Sequence, residues 1–163
     1  KIHPVPRNKK LTRGFLLLDF GCKYNNYCSD MTRTIFLGTP NKEEIKLYNL
    51  ILNCNKKCIT KLKINLSYAD LDLYSRTLLR EYKQFFLHSL GHGIGIKIHE
   101  APKIFVISKE KVKDNDIVTI EPGVYFKKGN KEVGIRVEDV VHVGNKVNVL
   151  TKSPKNLIVI SDY

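Results

Sequence analysis

The feature that most constrains the fold of this chain is a short pattern that occurs twice. Residues 17–21 (LLDFG) and 119–123 (TIEPG) each end an apolar run with an acid, one further residue and a glycine. Each copy is followed by a tyrosine and then by a predicted returning strand that carries a second acid, Asp30 or Glu138. Because both runs have the length and composition of buried strands, the pattern predicts a duplicated unit in which four carboxylates face a shared centre.

The two copies differ in what precedes them. Before the second copy, apolar residues recur at helical spacing from residue 42 to about residue 62, and Ser67-x-x-Asp70 resembles a capping box that opens a second helix. Only 18 residues precede the first acid. We therefore expect an α+β fold with an antiparallel sheet and a duplicated strand-and-helix unit. We expect residues 1–163 to belong to one domain that is incomplete at its N-terminus. Its first helical segment, on the order of 60 residues by ordinary element lengths, would precede Lys1.

Length and composition exclude several classes of protein. The 163 residues are 42% hydrophobic and 27% charged, which is typical of a folded chain with a core. No apolar run approaches the roughly 20 residues that span a bilayer, and the first residues do not form a secretion signal. Four cysteines in a chain of this size do not make a disulfide scaffold, and they fit a cytoplasmic protein. Membrane proteins, secreted mini-domains and low-complexity chains are excluded.

The net charge of +12 raises nucleic acid or an acidic membrane as a partner. However, 22 of the 28 basic residues are lysines, and they are scattered along the chain. The densest pairs, at residues 9–10, 56–57 and 127–128, lack the interleaved aromatic residues of a single-strand binding platform. The charge therefore predicts a solvated surface, and we expect neither a nucleic acid nor a membrane as partner.

Three of the five histidines, His88, His92 and His99, lie within twelve residues that also contain three glycines. Glycines allow tight turns and close approach of the backbone, so this segment favours a binding site over separate structural histidines. The spacing is not His-Glu-x-x-His, and the glycines argue against a helix, which excludes the helical zinc-protease motif.

The repeated acids and the histidine segment together provide five candidate ligands: Asp19, Asp30, His92, Glu121 and Glu138. Unpaired charges beside apolar strands are costly, and converging carboxylates raise one another's pKa values, so divalent cations would relieve both effects. An oxygen-rich set with one imidazole favours Mn, Co, Fe or Zn, and five ligands exceed the needs of one tetrahedral ion. The residues therefore predict a two-metal site. The alternative is that these acids pair with surface lysines.

At these residues the chain resembles the metal-dependent Xaa-Pro peptidases, the prolidase and aminopeptidase P group of peptidase family M24. The resemblance covers nearly the whole chain. Its motifs are Asp19-Phe20-Gly21, Tyr27-x-Ser29-Asp30-x-Thr32-Arg33-Thr34, His88-x-x-Gly91-His92-Gly93-Ile94-Gly95 with His99-Glu100-Ala101-Pro102, Glu121-Pro122-Gly123-x-Tyr125, and Gly134-Ile135-Arg136-Val137-Glu138-Asp139. The resemblance implies the pita-bread fold, which that group shares with methionine aminopeptidase and creatinase.

The resemblance also implies a role for each matching residue. One ion would be bound by Asp19 and the other by His92 and Glu121, while Asp30 and Glu138 would bridge both. Glu121 would also carry the proton, and His88 and His99 would bind the substrate and the developing oxyanion. Arg136 and Tyr125 would orient the ligands, and Tyr125 would also lie near the substrate. His3 would line the proline pocket.

The function implied is dinuclear metal-dependent hydrolysis of the peptide bond that precedes proline, in dipeptides or in short peptides with proline at the second position. Mn or Co are the expected ions, with Zn or Fe as alternatives. The full-length protein is expected to be a cytoplasmic homodimer. Two other readings stay open: a peptidase similar to methionine aminopeptidase, and a non-catalytic pita-bread binding protein.

Overall fold

The computed structural model describes Asn8 and residues 10–161, so His3 lies outside the described residues. In chain order the elements are β1 (Gly14–Phe20), β2 (Lys23–Tyr24), β3 (Tyr27–Cys28), β4 (Met31–Leu37), α1 (Lys42–Lys61), α2 (Tyr68–Leu78), a 3-10 helix (Arg80–Phe85), β5 (Gly91–Gly93), β6 (Glu100–Ile104), β7 (Ile117–Ile120), β8 (Gly123–Lys128), β9 (Lys131–Arg136), β10 (Asp139–Val143), β11 (Val147–Val149) and β12 (Val159–Ile160). This mixture confirms the predicted α+β class.

The strands form two main sheets. β1 and β4 pair antiparallel over their full length, and β12 joins β4 in parallel orientation. The second sheet has the order β11-β10-β7-β5-β6, with antiparallel neighbours throughout. Two hairpins, β2–β3 and β8–β9, extend from these sheets. Antiparallel pairing dominates, as the sequence predicts.

The acids of the repeated pattern lie at the ends of two equivalent ladders. Asp19 lies opposite Thr32 in the second-to-last residue pair of the β1–β4 ladder, and Asp30 immediately precedes β4. Glu121 immediately follows β7, and Glu138 immediately precedes β10. Each ladder therefore carries its two acids at one end, which confirms the geometric part of the predicted duplication.

Both predicted helices form, and their first turns explain where they begin. At α1, the Asn41 side chain accepts from the backbone N–H of Glu44 while the Glu44 carboxylate accepts from the N–H of Asn41. This reciprocal pair satisfies two backbone donors that the helix itself cannot. At α2, the Ser67 hydroxyl accepts from the N–H of Asp70, as the sequence predicts.

One apolar cluster joins the helices to the second sheet. Ile51 and Cys58 of α1, Leu71 of α2, and Val118 and Ile120 of β7 are all fully buried within it. Burial of each large side chain stabilises the fold by about 1.5–3 kcal/mol before the loss of conformational entropy is subtracted. The cluster packs both helices against the sheet whose strand β7 ends directly before Glu121.

The sequence also predicts strands at residues 85–90, 91–99 and 135–143, and the structure differs from the prediction at all three. Residues 85–90 are not a strand, because the 3-10 helix ends at Phe85 and a loop follows. Only the first three of residues 91–99 are extended, since bends follow Gly93. The run 135–143 is interrupted at residues 137–138, because β9 pairs with β8 whereas β10 pairs with β7.

The C-terminal segment packs behind the acid-bearing strands. The Arg33 guanidinium donates to the carbonyl oxygens of Ser153 (3.0 Å) and Pro154 (3.1 Å), and it forms an ion pair with Asp139 (2.9 Å). The Lys155 ammonium donates to the same Asp139 carboxylate at 2.7 Å. Burial alone would raise the pKa of Asp139, but the hydrogen bonds that it accepts hold it below its ordinary value.

Among the described residues, no helix is both long enough and apolar enough to cross a membrane.

Candidate metal centre

A cavity of about 380 Å³ lies where the ends of the two acid-bearing ladders meet. It is lined by Asp19, Asp30, His88, Ser89, His92, His99, Glu100, Lys103, Glu121, Arg136 and Glu138. Every predicted site residue within the described part of the chain lines this cavity except Tyr125, which contacts two of the lining side chains. Residues more than one hundred positions apart in sequence therefore converge, as the repeated pattern predicts.

Three potential metal ligands lie closest together. One ligand atom from each of Asp30, His92 and Glu138 lies within 4.8 Å of the other two, and all three residues are buried. The Nε2 atom of His92 is 3.7 Å from an oxygen of Asp30 and 3.5 Å from an oxygen of Glu121. A buried imidazole nitrogen surrounded by carboxylate oxygens is a donor set that suits a divalent transition metal ion.

The electrostatics of the cluster are those of carboxylates held too close to ionise independently. Burial, followed by the charge of Asp19, raises the pKa of Asp30. Burial and the charge of Asp30 raise the pKa of Glu138 to about 7, and burial and Glu138 raise that of Glu121. Burial lowers the pKa of the His92 imidazole, which favours its neutral, metal-binding form. The residues therefore fit cations, because a positive charge among them would remove this mutual repulsion.

Arg136 links the two ladders. Its guanidinium donates to the Asp19 carboxylate, to the Thr32 hydroxyl at 2.8 Å and to the Tyr125 hydroxyl at 3.2 Å. The Thr32 hydroxyl in turn donates to an oxygen of Glu138 at 2.5 Å. Arg136 thus contacts Asp19 directly and Glu138 through one hydroxyl.

The hydrogen bonds of His88 define its tautomer. Its Nδ1 atom is 2.8 Å from the carbonyl oxygen of Ser89, which can only accept, so Nδ1 carries the proton. Its Nε2 atom is 3.0 Å from the Tyr125 hydroxyl and accepts from it when the ring is neutral. Because that hydroxyl also accepts from Arg136, the Tyr125 proton is directed at His88. Burial raises the pKa of Tyr125 to about 12, so the hydroxyl stays protonated.

His99 lies at a more open position than the other site histidines. It is exposed, and its ring packs edge-on against the His92 ring with the centroids 4.3 Å apart. The bend that follows β5 places it there. His99 is therefore accessible to a molecule that enters the cavity.

Sequence reasoning missed two threonines that support the ligands. The Thr119 hydroxyl accepts from the backbone N–H of His92 at 3.0 Å and lies 3.4 Å from an oxygen of Glu121. Thr32 contacts Glu138 and Arg136 as described above. The available signal was alternation: Thr32 lies two residues after Asp30, and Thr119 two before Glu121, so each shares a strand face with a predicted ligand.

The chain was compared with known proteins. The profile of "Metallopeptidase family M24" matches residues 1–145. An Xaa-Pro dipeptidase from Pyrococcus furiosus is 38% identical over 160 residues, which cover 96% of this chain and 45% of that protein.

Two solved structures illustrate the fold. The Xaa-Pro dipeptidase from Bacillus anthracis superimposes with a TM-score of 0.90 at 38% identity, over 97% of this chain and 45% of that one. The X-Pro aminopeptidase from Thermotoga maritima gives 0.88 at 33% identity, over 97% and 45%. The expected pita-bread architecture is confirmed. The chain spans less than half the length of the curated relatives that it matches.

Proposed function

Because the chain belongs to metallopeptidase family M24, we propose that it forms the metal-binding part of a peptidase that hydrolyses the bond before proline in dipeptides or short peptides. The relatives named Xaa-Pro dipeptidase support this class of substrate. The observation that carries the proposal is the buried cluster of Asp30, His92 and Glu138, with Glu121 beside it. We also assign residues 1–163 to a single catalytic domain.

Five residues would hold two divalent cations. Asp19 would bind one ion, His92 and Glu121 the other, and Asp30 and Glu138 would be shared. Mn or Co are the first choice and Zn or Fe the alternatives, since carboxylate oxygens with one imidazole suit all four. When bound, such ions lower the pKa of a water molecule and polarise the scissile carbonyl group.

Peptide hydrolysis must also move a proton from water to the leaving amine nitrogen, and we assign this transfer to Glu121. Its position supports the assignment. The Glu121 carboxylate lies 3.7 Å from the ring of His88 and 3.5 Å from that of His92.

The substrate and its developing oxyanion would be bound by His88 and His99, which line the cavity. The hydrogen bond that His88 receives from Tyr125 supports a fixed ring orientation, and Arg136 supports that of Asp19. Tyr125 would also lie near the substrate. The assignment of His3 to the proline pocket rests on the family resemblance alone.

Two alternative functions would give different experimental results. A peptidase similar to methionine aminopeptidase would use the same five ligands but would remove N-terminal methionine and leave Xaa-Pro bonds intact. A non-catalytic binding protein would use the net charge of +12 to bind nucleic acid and would take up no metal. The cluster of buried ligands supports an enzyme over the second alternative.

We place the full-length protein in the cytoplasm as a homodimer. All four cysteines are free, two of them buried in the core, which fits a reducing compartment. Size-exclusion chromatography with light scattering on the full-length protein tests the oligomeric state.

The deciding experiment measures hydrolysis of Xaa-Pro dipeptides and of an Xaa-Pro-Yaa tripeptide, with and without Mn or Co, and counts bound metal in the same sample. Metal-dependent cleavage of either peptide supports the proposal, and the preferred length separates a dipeptidase from an aminopeptidase. Release of methionine without Xaa-Pro cleavage supports the first alternative. A DNA mobility shift that weakens with salt, with no metal uptake by the folded chain, supports the second.

The His88→Ala variant tests whether His88 binds the substrate rather than a metal ion. We expect it to lower turnover by about 10²-fold while the metal content stays unchanged, because His88 contacts the substrate rather than an ion. Loss of metal in this variant would mean that His88 is itself a ligand. His142→Ala, at a surface histidine outside the cavity, is the matched control.

A further inference from the structure

Two charged residues of α2 contact the loop that carries His88, although neither lines the cavity. Asp72 has no exposed surface, and Arg76 follows it by one helical turn. The Nε atom of Arg76 is 2.7 Å from an oxygen of Asp72, so the two side chains form an ion pair. Burying an ion pair costs free energy, and the attraction between the charges offsets this cost only when the remaining donors and acceptors also have hydrogen-bond partners. Here they are satisfied by the loop and, for Asp72, also by the backbone of Val106.

The pair binds the backbone of residues 86–90 at three points. An oxygen of Asp72 accepts from the N–H of Leu90 at 3.0 Å. The two terminal nitrogens of Arg76 donate to the carbonyl oxygens of Phe86 (3.0 Å) and His88 (2.9 Å). Phe86 and His88 belong to no helix or strand, so Arg76 provides their carbonyl oxygens with partners that regular structure would otherwise supply. The Leu90 N–H is shared, because it also donates to the carbonyl oxygen of Ile104 at 2.9 Å.

A second contact reaches the His88 ring through an aromatic neighbour. The Arg76 guanidinium lies over the Phe86 ring, 4.6 Å from its centroid. The Phe86 ring in turn meets the His88 imidazole edge-on, with the centroids 4.9 Å apart. Arg76 therefore contacts both the main chain of His88 and the aromatic ring that packs against its side chain.

We propose that Asp72 and Arg76 are positioning residues that set where the His88 imidazole lies in the cavity, by holding residues 86–90 against α2. The proposal rests on the proposed function in one respect: His88 must contact the substrate for its position to affect turnover. Only arginine offers a planar fork that can serve one carboxylate and two carbonyl oxygens together, since the compact lysine ammonium cannot reach all three.

The test compares Arg76→Lys and Asp72→Asn with Arg13→Lys as a matched control. Arg13 also forms a two-point ion pair with a carboxylate of a helix, Glu44, donates to a backbone carbonyl and lies over a phenyl ring. Its partners hold the N-terminus of α1, away from His88. Arg13→Lys therefore controls for loss of an arginine–carboxylate pair away from His88; because the Arg13 pair is more exposed than the Arg76 pair, thermal stability is measured for each variant.

Activity provides the first readout. We expect Arg76→Lys to lower kcat by about 10-fold or more with bound metal unchanged, because displacement of a catalytic group by a fraction of an ångström is enough. In the His88→Ala background the same substitution should have almost no further effect on kcat, since the two residues act as a unit. Asp72→Asn should behave likewise, and Arg13→Lys should leave kcat unchanged.

NMR spectroscopy of the metal-free protein provides a readout that does not depend on activity. The imidazole ¹⁵N and ring ¹H signals of His88 should shift in Arg76→Lys and Asp72→Asn but not in Arg13→Lys. If the wild-type chain hydrolyses no peptide, the proposed function fails and this comparison alone decides the positioning proposal.

Two results would overturn the proposal. One is that the kcat losses of Arg76→Lys and His88→Ala multiply in the double variant, which would mean that the residues act independently. The other is that the His88 signals stay unchanged in Arg76→Lys and Asp72→Asn while thermal stability falls, which would make the pair purely structural.

Discussion

At the scale of single residues, Asp30 and Glu138 differ from the other candidate ligands because each lies directly before a strand of a different sheet. The cavity brings both within 4.8 Å of the His92 ligand atom. Each is proposed to be shared by the two ions, so neither ion keeps a complete set of ligands when one of these acids is removed.

We therefore expect Asp30→Ala or Glu138→Ala to reduce the bound metal from about two ions per chain to none. Metal counting by mass spectrometry after gel filtration measures this, with Asp114→Ala at an exposed turn as the control. A variant that keeps two tightly bound ions would show that the residue does not bridge them.

The raised carboxylate pKa values make the stability of the metal-free protein depend on pH. An ordinary glutamate has a pKa of 4.5, whereas that of Glu138 in the folded chain is about 7. Between these values the folded state keeps a proton that the unfolded state has lost, so stability is greatest at low pH and falls as pH rises through the window.

We expect the melting temperature of the metal-free chain to decrease from about pH 5 to pH 8, and the decrease to be smaller in Glu138→Gln. Addition of Mn at pH 8 should restore stability, because a cation bound to the folded state neutralises the repulsion between the ionised carboxylates. Differential scanning fluorimetry at several pH values measures both effects. A melting temperature that rises steadily over this range in the metal-free protein would contradict the assignment of the raised pKa.

At the scale of elements, the histidine strand shows why its glycines are required. A Cβ atom added to Gly91 would collide with the carbonyl oxygen of Thr119, and one added to Gly93 would collide with that of Ala101. β5 lies between β7 and β6 in the sheet, so these collisions involve the backbones of neighbouring chain segments. Close backbone approach, expected from the sequence, is thus the reason for glycine at both positions.

Gly91→Ala should destabilise the protein by about 2 kcal/mol or more, because backbone on both sides limits relaxation. Urea denaturation measures the change. Gly129→Ala is a control of limited effect, since an added Cβ there meets no atom within 4 Å, although its positive φ adds some strain. Equal small losses in the two variants would show that β5 can shift to accommodate a methyl group.

The elements also show how far the sequence could predict the fold. The periodicity of residues 42–62 identified α1, and the acid-x-Gly pattern identified the ends of both ladders, because these signals are local. The interruption at residues 137–138 could not be predicted, since it arises from β9 and β10 pairing with different partners. The ion pair of Arg136 with Asp19 was missed for the same reason: it joins positions 117 residues apart.

At the scale of the whole molecule, the two main sheets differ in how they are covered. α1 and α2 contribute to the apolar cluster of the five-stranded sheet. On the three-stranded sheet, alternation places Leu18, Phe20, Ile158 and Ile160 on one face, and they are 39%, 53%, 48% and 41% exposed. Apolar residues clustered on one sheet face tend to associate.

We expect the isolated chain of residues 1–163 to self-associate at high concentration through this face. Leu18→Ser combined with Ile160→Ser should shift its elution in size-exclusion chromatography towards the monomer. Ile107→Ser, which replaces a more exposed isoleucine elsewhere, should leave elution unchanged. An unaltered elution volume in the double variant would exclude this face as the contact.

The packing of the C-terminal segment has a practical consequence for handling the protein. Ser153, Pro154 and Lys155 bind Arg33 and Asp139, and those residues adjoin the strands that present Asp30 and Glu138. Contacts from residues 153–155 therefore hold the strands that present two of the candidate ligands. A version of the chain shortened to residue 150 would keep all five candidate ligands and lose the contacts that hold two of them in register.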